Sequence, residues 1–312
     1  MRHPIPSLLL AAGVLAACAS ARPGAADPSP YGGPPPGAAA VRFAPDAIPA
    51  GRAFSAAFTP DGRSVVFTYR DRASGVVELW TARHDGTRWT GAGPAPFARG
   101  WTSADPFITR DGRRLYFSWE KPSPTAPADT VADFDTWTSE RRDDGTWGEP
   151  THVGDAPHSP QSDMYPSVTR DGTLYFDSVR PGLPARRNVW RARLAGGRYG
   201  PAEPLPRAVN DSAGGASNPY VDPDERYIIF MAGRPGGLGR GDLWISYRRP
   251  DGAWGAPQNL GPRVNTADVE FCPTVSPDGR WLLFSRIRYE GDRQVADDVY
   301  IVGIDVLPPP AP

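Results

Sequence analysis

Apolar and polar positions along the chain recur in a fixed order rather than with a helical period. Five short apolar runs, Val65-Val66-Phe67, Leu115-Tyr116-Phe117, Leu174-Tyr175-Phe176, Ile228-Ile229-Phe230 and Leu282-Leu283-Phe284, each follow a polar turn. The turn aspartates Asp61, Asp111, Asp171, Asp224 and Asp278 stand 50, 60, 53 and 54 residues apart. Another mostly apolar stretch leads into each turn, as in Phe54 to Phe58 and Tyr165 to Val168. Beyond each run a loop of varied length reaches an acid or amide with an aromatic two residues on: Glu78 and Trp80, Asp135 and Trp137, Asn188 and Trp190, Asp242 and Trp244, Asp298 and Tyr300. A second glycine turn and a short last run close the unit, as in Asp251-Gly252-Ala253-Trp254.

Short β-branched and aromatic runs bounded by Gly, Pro and Asp predict strands, and Asp-Gly pairs supply the positive φ of tight hairpins. Four strands in a repeat of this length predict an all-β chain, a five-bladed β-propeller of four-stranded antiparallel blades. A six-bladed ring is the alternative and needs a blade that the repeats do not contain. The fifth repeat ends after Val299 to Ile304 with no fourth strand, while Val41-Arg42-Phe43 precedes the first repeat unassigned. The N-terminal strand is therefore expected to complete blade five, so that no long edge stays unpaired.

Composition adds three constraints. The 10 Trp, 11 Tyr and 12 Phe supply core, and the 34 Gly and 38 Pro suit a many-turn β protein with polar tails. A formal net charge of −1 gives no field for nucleic acid or an anionic membrane surface. The chain opens with a basic start, an apolar stretch through Leu8 to Val14, and small residues up to Cys18, the pattern of a secretory signal. That stretch is too short for a membrane span. Residues 19 to about 40 are rich in Ala, Pro, Gly and Ser and read as a tether. The domains expected are 1–17 as signal peptide, 18–40 as linker, 41–307 as propeller and 308–312 as a proline-rich tail.

Two resemblances follow from these residues. Leu15-Ala16-Ala17-Cys18 resembles the lipobox of bacterial lipoproteins, which implies cleavage before Cys18 and its lipidation. Ala19 in the next position implies the outer membrane, reached through the lipid anchor alone. Acyl chains anchor stably without a membrane span. The turns Pro60 to Arg63 and Pro277 to Arg280, with Arg234-Pro235-Gly236-Gly237, Asp242-Leu243-Trp244 and Asn259 to Thr266, resemble the PD40, or TolB-like, propellers of bacterial envelopes, with WD40-like repeats. The resemblance covers roughly residues 41–305. It implies the fold and an envelope setting; it does not imply an activity, because propellers host unrelated ones.

A residue present in every repeat belongs to the scaffold, and one that breaks the repeat is the better functional candidate. The turn aspartates are scaffold by that test. So are the acids ahead of the third-strand aromatics, expected to pair with Arg70, Arg180, Arg234 and Arg288. Asp105, Asp163, Tyr165, Asn218 and Glu270 break the pattern at the entry of the innermost strands, on the face that carries the longer loops. They are the candidate ligand-binding residues, with Asp105, Asp163 and Glu270 expected to gather carboxylates at the channel mouth for a cation or cationic ligand. A protein-contact surface at Trp101 and the Ser118 to Phe134 loop is the fallback. Past the signal only His84, His152 and His158 remain, too few for a histidine metal cluster, so no metal and no cofactor is expected. No nucleophile elbow, metalloprotease helix or phosphate loop occurs. The expected function is a monomeric binding or scaffolding module for an envelope protein or glycan. The alternative is a carbohydrate-active enzyme with its site at the channel mouth, since two rim acids at a working distance would suffice.

Overall fold

The computed structural model describes residues 31, 33–44, 46–125, 133–183, 187–211 and 214–311; the lipobox and Cys18 lie outside them. Within that range the strands form five four-stranded antiparallel sheets. The innermost strands are Ala53–Phe58, Ser103–Ile108, Asp163–Val168, Ser217–Val221 and Val269–Val275. Each packs against the next, and the last packs against the first, so the blades close into a ring. No helix among the described residues is long and apolar enough to cross a membrane.

Blade five takes its fourth strand from the other end of the chain. Val41–Arg42 pairs antiparallel with Arg293–Gly303, Val41 opposite Ile301 and Arg42 opposite Tyr300. The expected closure is thus the observed one, and five blades rather than six make the ring. The contact with the ring begins earlier than Val41. Tyr31 is buried in the groove between blades five and one, edge-on to Phe58 with centroids 5.2 Å apart, beside Phe43 and Trp89. Ala40 donates its backbone N–H to the Arg263 carbonyl at 3.1 Å.

Between blades the core is apolar and continuous. Phe67, Phe117, Phe176, Phe230 and Phe284, the last residues of the apolar runs, are all buried to within 1%. The turn aspartates lock the first hairpins. Asp61, Asp111 and Asp278 each accept from a hydroxyl two residues back, Thr59, Thr109 or Ser276, and from the backbone N–H two residues on. Asp171 does the same with Thr169 and Thr173. Blade four departs from this. Asp222 is its locking carboxylate, accepting from the N–H groups of Asp224 and Arg226, while Asp224 pairs with Arg170 of blade three at 2.7 Å.

Candidate functional site at the channel mouth

Each innermost strand is interrupted directly before its proline or alanine by a residue with a left-handed backbone. These are Ser55 (φ 48°), Asp105 (56°), Tyr165 (58°), Asn218 (52°) and Cys272 (48°). At every one the pairing register with the second strand shifts. Such a bulge bends the strand and re-aims a side chain. All five residues line one cavity of the central channel, about 30 Å³, room for water but not for a sugar ring.

The bulge frees a backbone N–H, and the preceding blade supplies its acceptor. Ser55 donates to Ser285 Oγ at 2.8 Å, Asp105 to Thr68 Oγ1 at 3.0 Å, Tyr165 to Ser118 Oγ at 3.1 Å and Asn218 to Asp177 Oδ2 at 2.9 Å. The acceptors are the residues directly after the buried phenylalanines of the second strands. In blade four that residue is Met231, a weak acceptor whose sulfur takes the Ser217 hydroxyl at 3.8 Å and not the Cys272 N–H. Asn218 takes over instead, its Oδ1 accepting from Cys272 N–H at 3.2 Å. Asn218 and Asp177 are therefore parts of an inter-blade clasp as well as channel residues.

Electrostatics single out Asp105. Its side chain is buried, and neither carboxylate oxygen accepts a well-formed hydrogen bond. Burial pushes its pKa up to about 8, and the neighbouring Asp177 carboxylate adds to the rise, against the opposing pull of Ser118, Arg187 and Arg70. Asp105 is thus a neutral acid at pH 7. Asp177 is raised by burial as well, yet it is held by Arg187 and by Asn218 Nδ2. Arg187 rises from the loop of blade three, 38% exposed, and carries positive charge over the mouth. Tyr165, half-buried, has its hydroxyl pushed well up by burial and then by Asp105. Phe54, Phe271 and Met231 form the apolar side of the same mouth.

Of the sequence candidates, Asp105, Tyr165 and Asn218 meet in the channel. Asp163 and Glu270 do not join them, so three carboxylates are not gathered on one axis. Each stands two residues before the bulge, fully buried against its own arginine: Asp163 with Arg180 at 3.0 Å, Glu270 with Arg286 at 2.6 Å. Asp163 also accepts from Ser159 N–H, and Glu270 from the Thr266 N–H and hydroxyl. Burial raises both, Asp163 to about 6. The left-handed residue inserts an extra position into the strand and breaks the alternation that would have put both acids beside the channel. The arginines expected to pair with the acids ahead of the third-strand aromatics are also engaged elsewhere. Arg180 takes Asp163, Arg234 donates to the Ala208 and Val209 carbonyls, and Arg70 reaches Asp297 at 3.5 Å.

A second polar cluster escaped the sequence. Asp135, His152 and His158 offer ligand atoms within 4.8 Å of one another on the loop face of blade two. Pairing of Trp137 with His152 brings the fourth strand beside Asp135, and His152 Nε2 lies 2.9 Å from Asp135 Oδ2. His158 Nε2 accepts the Thr136 N–H at 3.0 Å, which leaves the ring proton on Nδ1, 3.6 Å from Asp135 Oδ1. A metal on Nδ1 would require a proton on Nε2, where the Thr136 N–H already points. The cluster is thus one His152–Asp135 hydrogen bond, with His158 Nδ1 and Asp135 Oδ1 facing each other unbonded, and the Thr136 contact opposes a metal on His158.

No protein-family profile matches the chain, and no curated protein matches it. Solved structures do. The chain is similar to a thermostable family-43 glycoside hydrolase (TM-score 0.56, 12% identity, 84% of this chain and 92% of that one). It is similar to an endo-arabinase from Bacteroides thetaiotaomicron (TM-score 0.53, 13% identity, 83% and 96%). TolB from Acinetobacter baumannii matches at TM-score 0.46 and 16% identity over 81% of this chain, which spans about half, 52%, of TolB. At such identities the likeness is one of fold, and the chain is a five-bladed β-propeller.

Proposed function

We infer that the chain is an envelope-tethered binding module of the PD40, TolB-like kind, lipidated at Cys18, whose loop face engages a protein or glycan partner at the channel mouth. One observation carries the placement of the site: Asp105, a buried carboxyl with no well-formed hydrogen bond, lies in the channel beneath the part-exposed Arg187. Buried polar groups are nearly always partnered. A ligand group able to donate and accept would satisfy Asp105, while Arg187 recognises an acceptor and the part-exposed Tyr165 offers a ring face. Trp101, at 45% exposure, and Leu238, at 49%, stand on loops of that face and suit protein contact.

A second reading, a carbohydrate-active hydrolase, has its own support. A carboxyl with a raised pKa beside a second carboxylate held by an arginine is reminiscent of the acid and its partner in glycoside cleavage. Against it, Asp177 is tied to Arg187 and Asn218, and the cavity beside Asp105 holds only about 30 Å³. The test is a thermal-shift screen of glycan and cation panels, followed by aryl glycosides, on wild type and Asp105→Asn. Binding reads as a Tm shift that Asp105→Asn alters, without turnover. Turnover abolished by Asp105→Asn would establish the hydrolase, and no shift from any panel would move the site off the channel.

A further inference from the structure

Each outer groove between blades is entered by one apolar side chain, and one is then covered further by the chain's own tail. Trp89, Trp147, Tyr199 and Trp254 pack into the grooves on the preceding blade. Blade five has no such turn. Its third strand runs on, and Val306 enters the groove on blade four, followed by Leu307. Beyond it the proline segment lies across the blade-four strands: the Tyr247 hydroxyl donates to the Pro308 carbonyl at 2.6 Å and Gln258 Nε2 to the Pro309 carbonyl at 3.1 Å. An extended proline stretch is thus held by apolar packing and two donors to its carbonyls. Such a stretch presents its carbonyls and rings with little conformational entropy to lose.

In the groove between blades one and two, Trp147 takes the place of Val306, and the stretch beyond it, where the tail lies in blade four, is open. Thr81 pairs with Gly93 as Ile245 pairs with Gln258, so Arg83 stands where Tyr247 stands and Gly93 where Gln258 stands. The cleft there measures about 380 Å³, with Val66, Phe97 and Trp147 as its apolar wall and Arg83, Arg142 and Glu149 at its edge. The Arg83 side chain is exposed and makes no hydrogen bond or ion pair among the described residues. Gly93 leaves open space where a side chain would project. The donor is thus present, and the bulk that flanks the tail in blade four is missing.

We propose that the cleft between blades one and two binds an extended proline-rich segment of a partner protein, in the manner of the Leu307 to Pro309 segment in the cleft between blades four and five. The proline rings pack on Phe97 and Trp147, and Arg83 donates to a proline carbonyl. This site is separate from the channel mouth, and either can fail without the other.

The probe is an acetylated synthetic peptide of residues 305–311, titrated into the full soluble chain and followed by isothermal calorimetry and by the Trp147 indole N–H resonance. The expected result is saturable binding with the Trp147 resonance shifted. Arg83→Glu should weaken it at least tenfold, Gly93→Trp should block it, and a peptide with alanine for all three prolines should bind at least tenfold more weakly. Both altered side chains are at open positions, so circular dichroism and Tm should stay as in wild type. The proposal is overturned if the peptide does not bind below about millimolar, or binds all variants equally. It is also overturned if the chain dimerises through this cleft in a way lost on truncation after Leu307, for then the occupant is a second copy.

Discussion

Asp105→Asn should raise stability at neutral pH and flatten its dependence on pH. The carboxyl has an ordinary value of 3.8 when unfolded and about 8 when folded. Its folded pKa is raised, so its contribution is fully present below pH 3.8 and is lost as pH rises towards 8. Each unit of difference corresponds to about 1.4 kcal/mol, so folding loses about 4 kcal/mol from this group between pH 4 and pH 7. Asparagine is neutral throughout, has nearly the same shape, and tolerates the left-handed backbone that this position requires. The variant should therefore match wild type within about 1 kcal/mol at pH 4 and exceed it by up to about 4 kcal/mol at pH 7.5. For a domain of this size the latter is a rise of roughly 8 °C in Tm. Urea unfolding at pH 4.5, 6.0 and 7.5 would measure it, with an unchanged m-value indicating that only stability moved. Some slope should persist, because the raised Asp177 acts with the same sign. Parallel pH profiles for the two proteins would refute the assignment of a buried neutral acid.

Four further outcomes are expected. Glu270→Gln should destabilise by about 3 kcal/mol, since it strands the buried Arg286, and Glu270→Gln with Arg286→Met should recover part of the loss in denaturant melts. His158 has its pKa lowered to about 4, by burial first, so its contribution is present above its ordinary value of 6.5 and is lost as pH falls through 4. His158→Gln should flatten the acid limb of the stability profile by up to about 3 kcal/mol. Tyr31→Ala should cost about 3 kcal/mol, because it empties a packed aromatic site, and an unchanged Tm would place Tyr31 off the ring. Cys18→Ser should abolish acylation, and a wild-type N-terminus without acyl chains in intact-mass spectrometry would exclude the lipobox reading.

The scaffold was legible because its signals are local. Hydroxyl-Asp-Gly turns and buried phenylalanines recur at fixed offsets, and the missing fourth strand of blade five was visible as a shortfall matched by Val41-Arg42. The site was half legible. Breaking the repeat correctly marked Asp105, Tyr165 and Asn218, yet it marked Asp163 and Glu270 for another reason, their pairing with Arg180 and Arg286. The distinction rests on a left-handed residue in each innermost strand. Ser, Asp, Tyr and Cys at those positions give no glycine to announce it, and only the later pairing of strands reveals the shifted register. The Asp135, His152 and His158 cluster was hidden by distance: its members come from a third strand, a fourth strand and a crossing loop. Predicting the partner of Trp137 would have exposed it.

The pairing of Val41 with Ile301 sets the order of events in folding, since the first strand made waits for the last. Blade five has no complete sheet until Arg293–Gly303 has left the ribosome. Joining ends about 260 residues apart carries a loop-closure entropy of roughly 5 kcal/mol if it is attempted on an unfolded chain. Blades one to four, built from local hairpins, can form first and shorten that loop before the terminal strand docks. Ring closure is then the late step, and a chain truncated within Arg293–Gly303 leaves two edges exposed at once, one on each side of the gap.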